Sequence, residues 1–263
     1  MSNLWEQMQL VPSVVRFASR APKDPDVAWE GYWRGVRSTG RSGDVLWDAG
    51  AQRERAQYAE QLLAHFDPAL PVVDVGCGNG THTRWLAGLF PSVLGVDVSA
   101  GAIDRARQES EDVPNADYAV LDATAGDAGT LLAERLGQAN VFVRGVFHVL
   151  KPNRQKALAA NLHTVVGSGG NVFLAETNFR GNSLGYLAEL GATRAHMPRQ
   201  LQRALEHLPR PGHFGPQERA RHFPAASWRL VVDGPAKIEV VPMDGTGNPQ
   251  HVPGYFAVMA GAD

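Results

Sequence analysis

Hydrophobic and polar positions change rhythm twice along the chain. Up to residue 50 no single period holds, because the turn-rich pieces Ala21-Pro-Lys-Asp-Pro25 and Ser38-Thr-Gly-Arg-Ser-Gly43 interrupt the apolar positions and predict short segments. From residue 51 to 177 the pattern is regular. Residues 51–65 predict an amphipathic helix with Ala56, Ala59, Leu62 and Leu63 on its apolar face. Short apolar runs at Val72–Val75, Ser92–Asp97, 117–121, Asn140–Arg144 and Asn171–Glu176 predict strands. Between them, helices are predicted over Thr81–Phe90 and 100–110, from Asp127 to Gly137, and from Pro152 to Val166. Ser99 and Asp127 are placed as N-caps, Gly137 as a stop and Pro152 as an opening residue.

Strands alternating with helices of this length make βαβ units, and therefore a parallel sheet with right-handed crossovers. After residue 177 the alternation fails, and 178–222 is polar and rich in Pro, Arg and His. Trp228–Val232, Lys237–Val241 and Tyr255–Met259 then read as strands able to close the sheet with antiparallel pairings. The expected organisation is a main domain over 51–263, a cap or lid over 1–50, and 178–222 as a substrate-lid insertion. Trp5, Trp29, Trp33 and Trp47 lie in a cap with no evident core of its own, so the cap is expected to order when a ligand binds.

Composition narrows the function. Of 263 residues, 44% are hydrophobic and 20% charged, which is ordinary globular usage and excludes wholesale disorder. Lys and Arg number 25 against 27 Asp and Glu, so the net charge of −2 provides no basic field for nucleic acid. The single cysteine, Cys77, excludes an internal disulfide framework and a Cys-rich zinc site, and no metal site is expected. No stretch approaches the roughly 20 apolar residues that cross a bilayer. Met1–Leu10 lacks the basic and apolar regions of a secretory signal, so a cytoplasmic location is expected.

The residues that carry chemistry are Val72-Val-Asp-Val-Gly-Cys-Gly-Asn-Gly80, a strand that turns on glycines into a helix. Glycine there lets a ligand lie directly on the backbone and permits positive φ. A nucleotide-like cofactor at the carboxyl end of the first strand follows. The dinucleotide fingerprint needs G-x-G-x-x-G; here the third glycine comes one place early, and Thr81 takes the last position.

Asp74-x-Gly76-x-Gly78-x-Gly80 resembles motif I of the class I S-adenosylmethionine-dependent methyltransferases, small-molecule type. The resemblance covers 70–177. It implies a Rossmann-like α/β fold with a mostly parallel seven-stranded sheet, an antiparallel closing strand and an N-terminal helical cap. In that family the glycine turn, here Gly76, Cys77, Gly78, Asn79 and Gly80, lies along the methionine part of the cofactor. The acid, here Asp74, orients the loop and meets the ammonium end. Asp97, followed by Val98, falls where the ribose hydroxyls are held, and Asp122, followed by Ala123, where the adenine amino group is met. Arg144-Gly145 resembles the pair that closes over the cofactor, and Val45-Leu-Trp47-Asp48 resembles a Trp-Asp that closes the pocket from above.

No Asn/Asp-Pro-Pro-Tyr motif follows the fourth strand, which disfavours DNA as substrate. The implied partner is a small-molecule acceptor, with a membrane or nucleic acid excluded and a homodimer compatible with the sequence. The implied reaction is methyl transfer from S-adenosylmethionine, giving S-adenosylhomocysteine, to an acceptor oxygen of an aromatic or natural-product compound. His148 is the candidate base, and Glu176, ending the fifth strand, is a second group able to face the acceptor. Two other functions share these motifs: cofactor binding with a non-methyl step such as cyclisation, and a non-catalytic partner subunit.

Overall fold

A computed structural model describes residues 4–50, 52–181, 183–193, 196–241, 243 and 250–262; the side chains of 4–7, 183 and 189, Trp5 among them, lie outside that description. The first fifty residues differ from the short pieces expected. Helix α1 runs Leu4–Ala18 with Pro12 inside it, and α2 runs Pro25–Arg34. Leu10 and Val14, one turn apart, pack with Leu187, Leu190 and Leu201 from the later lid region. That tertiary burial outweighs the hydrogen bond lost at proline. Asp24 caps α2 through the amides of Asp26 and Val27, with Pro25 in the first turn.

The cap also has a core of its own, against expectation. Tyr32 stacks on Trp47 with centroids 5.4 Å apart, and Trp29 and Trp33 meet Trp47 edge-on at 5.8 and 6.4 Å. The cap is docked as well: the Ser99 hydroxyl and the Gly101 amide donate to the Glu30 carboxylate at 2.7 and 3.1 Å.

Helix α3 (Gln52–His65) buries Glu54, Tyr58 and Leu62, whereas Leu63, expected inside, is 62% exposed. The βαβ body follows: β1 (Val72–Val75), α4 (Thr81–Ala87), β2 (Val93–Asp97), α5 (Ala100–Gln108), β3 (Ala116–Val120), α6 (Ala128–Leu136), β4 (Asn140–Arg144), α7 (Pro152–Val166) and β5 (Asn171–Thr177). Ser99 caps α5 as expected, while the Asp127 side chain makes no capping bond to α6. Short helices α8 (Ser183–Glu189), α9 (Arg199–His207) and α10 (Pro216–His222) fill the polar region.

The two runs expected at 228–232 and 237–241 are one strand, β6 (Trp228–Val240), paired antiparallel with β7 (Gln250–Gly261). The sheet order β3-β2-β1-β4-β5-β7-β6 puts β6 on the edge, where Pro235 interrupts no inner ladder. Phe142, Phe173 and Phe256 stack across β4, β5 and β7 at 5.4 and 6.1 Å, with Tyr58 of α3 against Phe173 at 4.9 Å.

The strand order reverses between β1 and β4, and the carboxyl ends of these two strands open a crevice. Below it lies a buried ion pair. Arg144 donates to both Glu54 oxygens at 2.7 and 3.0 Å, with the two side chains 6% and 0% exposed. Glu54→Ala would leave a buried guanidinium unpaired, so a loss of about 3–5 kcal/mol is expected by urea denaturation. Replacing both partners with apolar residues should cost less than the two single losses added, and strict additivity would show that the pair is not coupled.

Candidate cofactor and acceptor site

A cavity of about 460 Å³ opens at that crevice. Its walls include Gly76 and Gly78 of the glycine turn, Asp97 and Val98, Asp122 and Ala123, Arg144, Gly145 and His148, and Trp33 and Trp47 of the cap. Lid residues Leu184, Tyr186, Leu201 and Leu205 and cap residues Val11 and Val14 add an apolar end. Burial pushes the Tyr186 phenol up to about 12, so it is a neutral wall.

The turn is bare for a steric reason. Gly76 and Gly78 have φ of +74° and +55°. A Cβ would lie 2.5 Å from Val146 Cγ2 at the first and 2.7 Å from the Trp33 ring at the second. A backbone that excludes side chains, on a wall shared with carboxylates, fits an adenosyl cofactor.

Asp97 holds the turn. One oxygen accepts the Gly78 amide at 3.0 Å and the other the Ser99 amide at 2.9 Å. Burial pushes its carboxyl up to about 6 against those hydrogen bonds. Asp122 accepts the Thr124 amide and hydroxyl at 2.9 and 2.7 Å, and Arg154 donates to its second oxygen at 2.8 Å. Partial burial would raise Asp122, but the Thr124 bonds and the Arg154 charge outweigh it and leave it lowered. Arg154 also donates to Asp26 at 2.8 Å, bridging the start of α2 to the sheet.

Several residues singled out from the sequence lie behind the wall. Asp74 is 2% exposed and accepts the Thr83 hydroxyl at 2.6 Å, fixing the start of α4 beneath the turn. Asn79 donates to Asp48, Thr81 and Glu109 at 3.0, 2.9 and 3.1 Å, tying the turn to the cap and α5. Cys77 is buried with Ile103, Ala106 and Tyr118, and burial pushes its thiol up, away from reactivity. A Cβ on Gly80 would strike the Tyr118 ring, so its part is packing. Arg144 reaches the cavity while its guanidinium is held by Glu54 and the Trp47 and Glu239 carbonyls.

Glu176 is fully buried and cannot face an acceptor, so that expectation is corrected. Its carboxylate accepts the amides of Val146, Phe147 and His148 at 2.9, 2.8 and 3.2 Å, and lies 2.6 Å from His148 Nδ1. As an acceptor, Glu176 selects the tautomer with the proton on Nδ1 and leaves Nε2 with its lone pair. A base held by a buried carboxylate at a cavity wall is equipped to take a proton from a bound hydroxyl. Glu54, Glu30, Trp33 and Arg154 were not foreseen from the sequence; their partners lie 90, 69, 45 and 32 residues away in the chain.

Comparison with known proteins agrees with this geometry. Residues 72–170 match a family model described as a methyltransferase domain. Over 88 residues the chain is 40% identical to a trans-aconitate 2-methyltransferase of Paracidovorax citrulli, a match covering 30% of this chain and 33% of that protein. Over 60 residues it is 38% identical to a dTDP-3-amino-3,6-dideoxy-alpha-D-glucopyranose N,N-dimethyltransferase of Streptomyces fradiae, covering 23% and 24%. These matches span a third or less of the curated relatives. A solved structure of an S-adenosylmethionine-dependent methyltransferase from Anabaena variabilis superposes with a TM-score of 0.80 at 29% identity, covering 92% of this chain and 98% of that one. Residues 72–170 thus carry a methyltransferase domain, and the chain as a whole is similar in fold to an S-adenosylmethionine-dependent methyltransferase. Among the described residues no helix is long and apolar enough to cross a membrane.

The buried acids give a pH signature. Burial raises Asp74 from 3.8 to about 7, so the folded protein holds its proton more tightly than the unfolded chain does. Its contribution to stability therefore falls as pH rises from about 4 to about 7. Asp74→Asn keeps an acceptor for Thr83 and removes the titration. Relative to wild type, the ligand-free variant should be more favoured at about pH 8 than at about pH 5 in urea denaturation. A gap equal at both values would contradict the buried, protonating Asp74.

Proposed function

We propose that the protein transfers the methyl group of S-adenosylmethionine to a hydroxyl oxygen of an apolar small molecule, an aromatic or natural-product compound of secondary metabolism, in the cytoplasm. The observation that carries this reading is the His148–Glu176 pair, at 2.6 Å, beside the cavity that contains the glycine turn. When bound, the cofactor supplies an electrophilic methyl on a sulfonium. Gly76 and Gly78 would lie against its methionyl part, Asp97 and Val98 against the ribose, and Asp122 and Ala123 against the adenine. Trp33 and Trp47 would exclude water from above.

The acceptor enters from the apolar end, with 1–50 and 178–222 as its cover. His148 Nε2 takes the hydroxyl proton as the oxygen–carbon bond forms, and Glu176 stabilises the imidazolium through Nδ1. Gly76 and Gly78 would hold the second product, S-adenosylhomocysteine, once the methyl had been given to the acceptor oxygen. Most of the acceleration comes from positioning the oxygen in line with the methyl, and the base adds to it.

Screening hydroxylated aromatics with methyl-labelled cofactor identifies an acceptor. On it, His148→Ala should lose roughly a hundred- to ten-thousand-fold in kcat. S-adenosylhomocysteine affinity should be unchanged. Glu176→Gln should lower kcat less, again with that affinity unchanged. A His148→Ala variant that turns over at the wild-type rate eliminates the base, and turnover without a methylated product eliminates methyl transfer.

A further inference from the structure

The charged side chains around the cavity divide by whether they have a partner. Arg144 is held by Glu54, Arg154 by Asp26 and Asp122, and Asp97 by two backbone amides. Two cations remain. Lys151 and Arg210 line the cavity, and neither side chain makes an ion pair among the described residues.

Both lie at the His148 end. Lys151 follows His148 by three positions, and Arg210 leads into Gly212, whose amide donates to the His148 carbonyl at 2.6 Å. A third polar group borders the cavity: Thr177, directly after Glu176, is 6% exposed, and its hydroxyl is buried with no hydrogen-bond partner among the described residues. A hydroxyl buried and unpaired is costly in the free protein, and a ligand atom can satisfy it. Elsewhere the cavity wall includes the apolar Val14, Leu184, Leu187, Leu201 and Leu205.

Lys151 and Arg210 are both exposed, so they give the cavity a positive rim able to meet an anion at its mouth. We propose that the acceptor is a hydroxylated apolar carboxylate. Its carboxylate is held by Lys151 and Arg210, a hydrogen bond comes from Thr177, and its apolar body lies between the cap and the lid helices. This rests on the methyltransferase reading of the site and names the acceptor class within it.

The test is calorimetry on the full chain saturated with S-adenosylhomocysteine, using hydroxynaphthoate and naphthol, which differ only by the carboxylate. Hydroxynaphthoate should bind about tenfold more tightly or better. The exposed pair Lys151→Glu/Arg210→Glu should abolish that preference and leave naphthol affinity unchanged. Thr177→Val should weaken hydroxynaphthoate without lowering Tm, whereas a structural hydroxyl would lower Tm. Equal binding of the two probes, binding of neither, or a preference that survives charge reversal overturns the proposal. The first titration separates the levels: no binding of S-adenosylhomocysteine removes the methyltransferase site itself, while its binding without a carboxylate preference removes only the acceptor class.

Discussion

The Arg144–Glu54 pair is the contact that the site's geometry depends on. Glu54 accepts both from Arg144 and from the Glu239 amide, and Arg144 donates in turn to the Trp47 and Glu239 carbonyls. Four separate pieces of chain, the cap loop, α3, β4 and β6, meet on two side chains. Charges this deeply buried add little net stability, because desolvation offsets their attraction. What they fix is position: with four Arg144 hydrogen bonds and the Glu239 amide converging on the pair, few other arrangements of these four segments are open to the chain. Arg154 makes a second, more exposed tie between Asp26 and Asp122, and solvent screening leaves it weaker.

Around that anchor, each carboxylate has a different task set by its surroundings. Asp97 spends both oxygens on amides and so joins the end of β2 to the glycine turn. Asp74 lies behind the turn with Thr83, and Glu176 lies behind His148 with three amides. Acids that end strands in this sheet thus split into those on the cavity wall and those that hold the wall in place.

The body was legible in the sequence because parallel strands are buried on both faces and read as continuous apolar runs, with glycine, serine and proline marking the turns between them. The glycine turn and the acids at 97 and 122 were legible for the same reason, since local spacing places them at strand ends. Long-range partners left no such signal. Nothing local marked Glu54, and Leu63 was placed on the apolar face of α3; the partner Arg144, 90 residues away, decides which face turns inward. Only short segments were expected before residue 50, yet packing with α8 and α9 stabilises the fifteen-residue α1. Trp228–Val232 and Lys237–Val241 read as two strands because nothing local indicates that β6 is the sheet edge, where Pro235 is tolerated. Glu176 was noticed for its place, but only the fold shows it turned toward His148 and away from the cavity.

The central claim is that one cavity holds both the cofactor and the acceptor, joined at the glycine turn. A crystal structure with S-adenosylhomocysteine tests it most directly. The account predicts the homocysteine part along Gly76–Gly78, the ribose hydroxyls on Asp97, the purine beside Asp122 and Ala123, and the sulfur facing the His148 side of the cavity. Density for the ligand elsewhere on the molecule, or a sulfur turned away from His148, would contradict it.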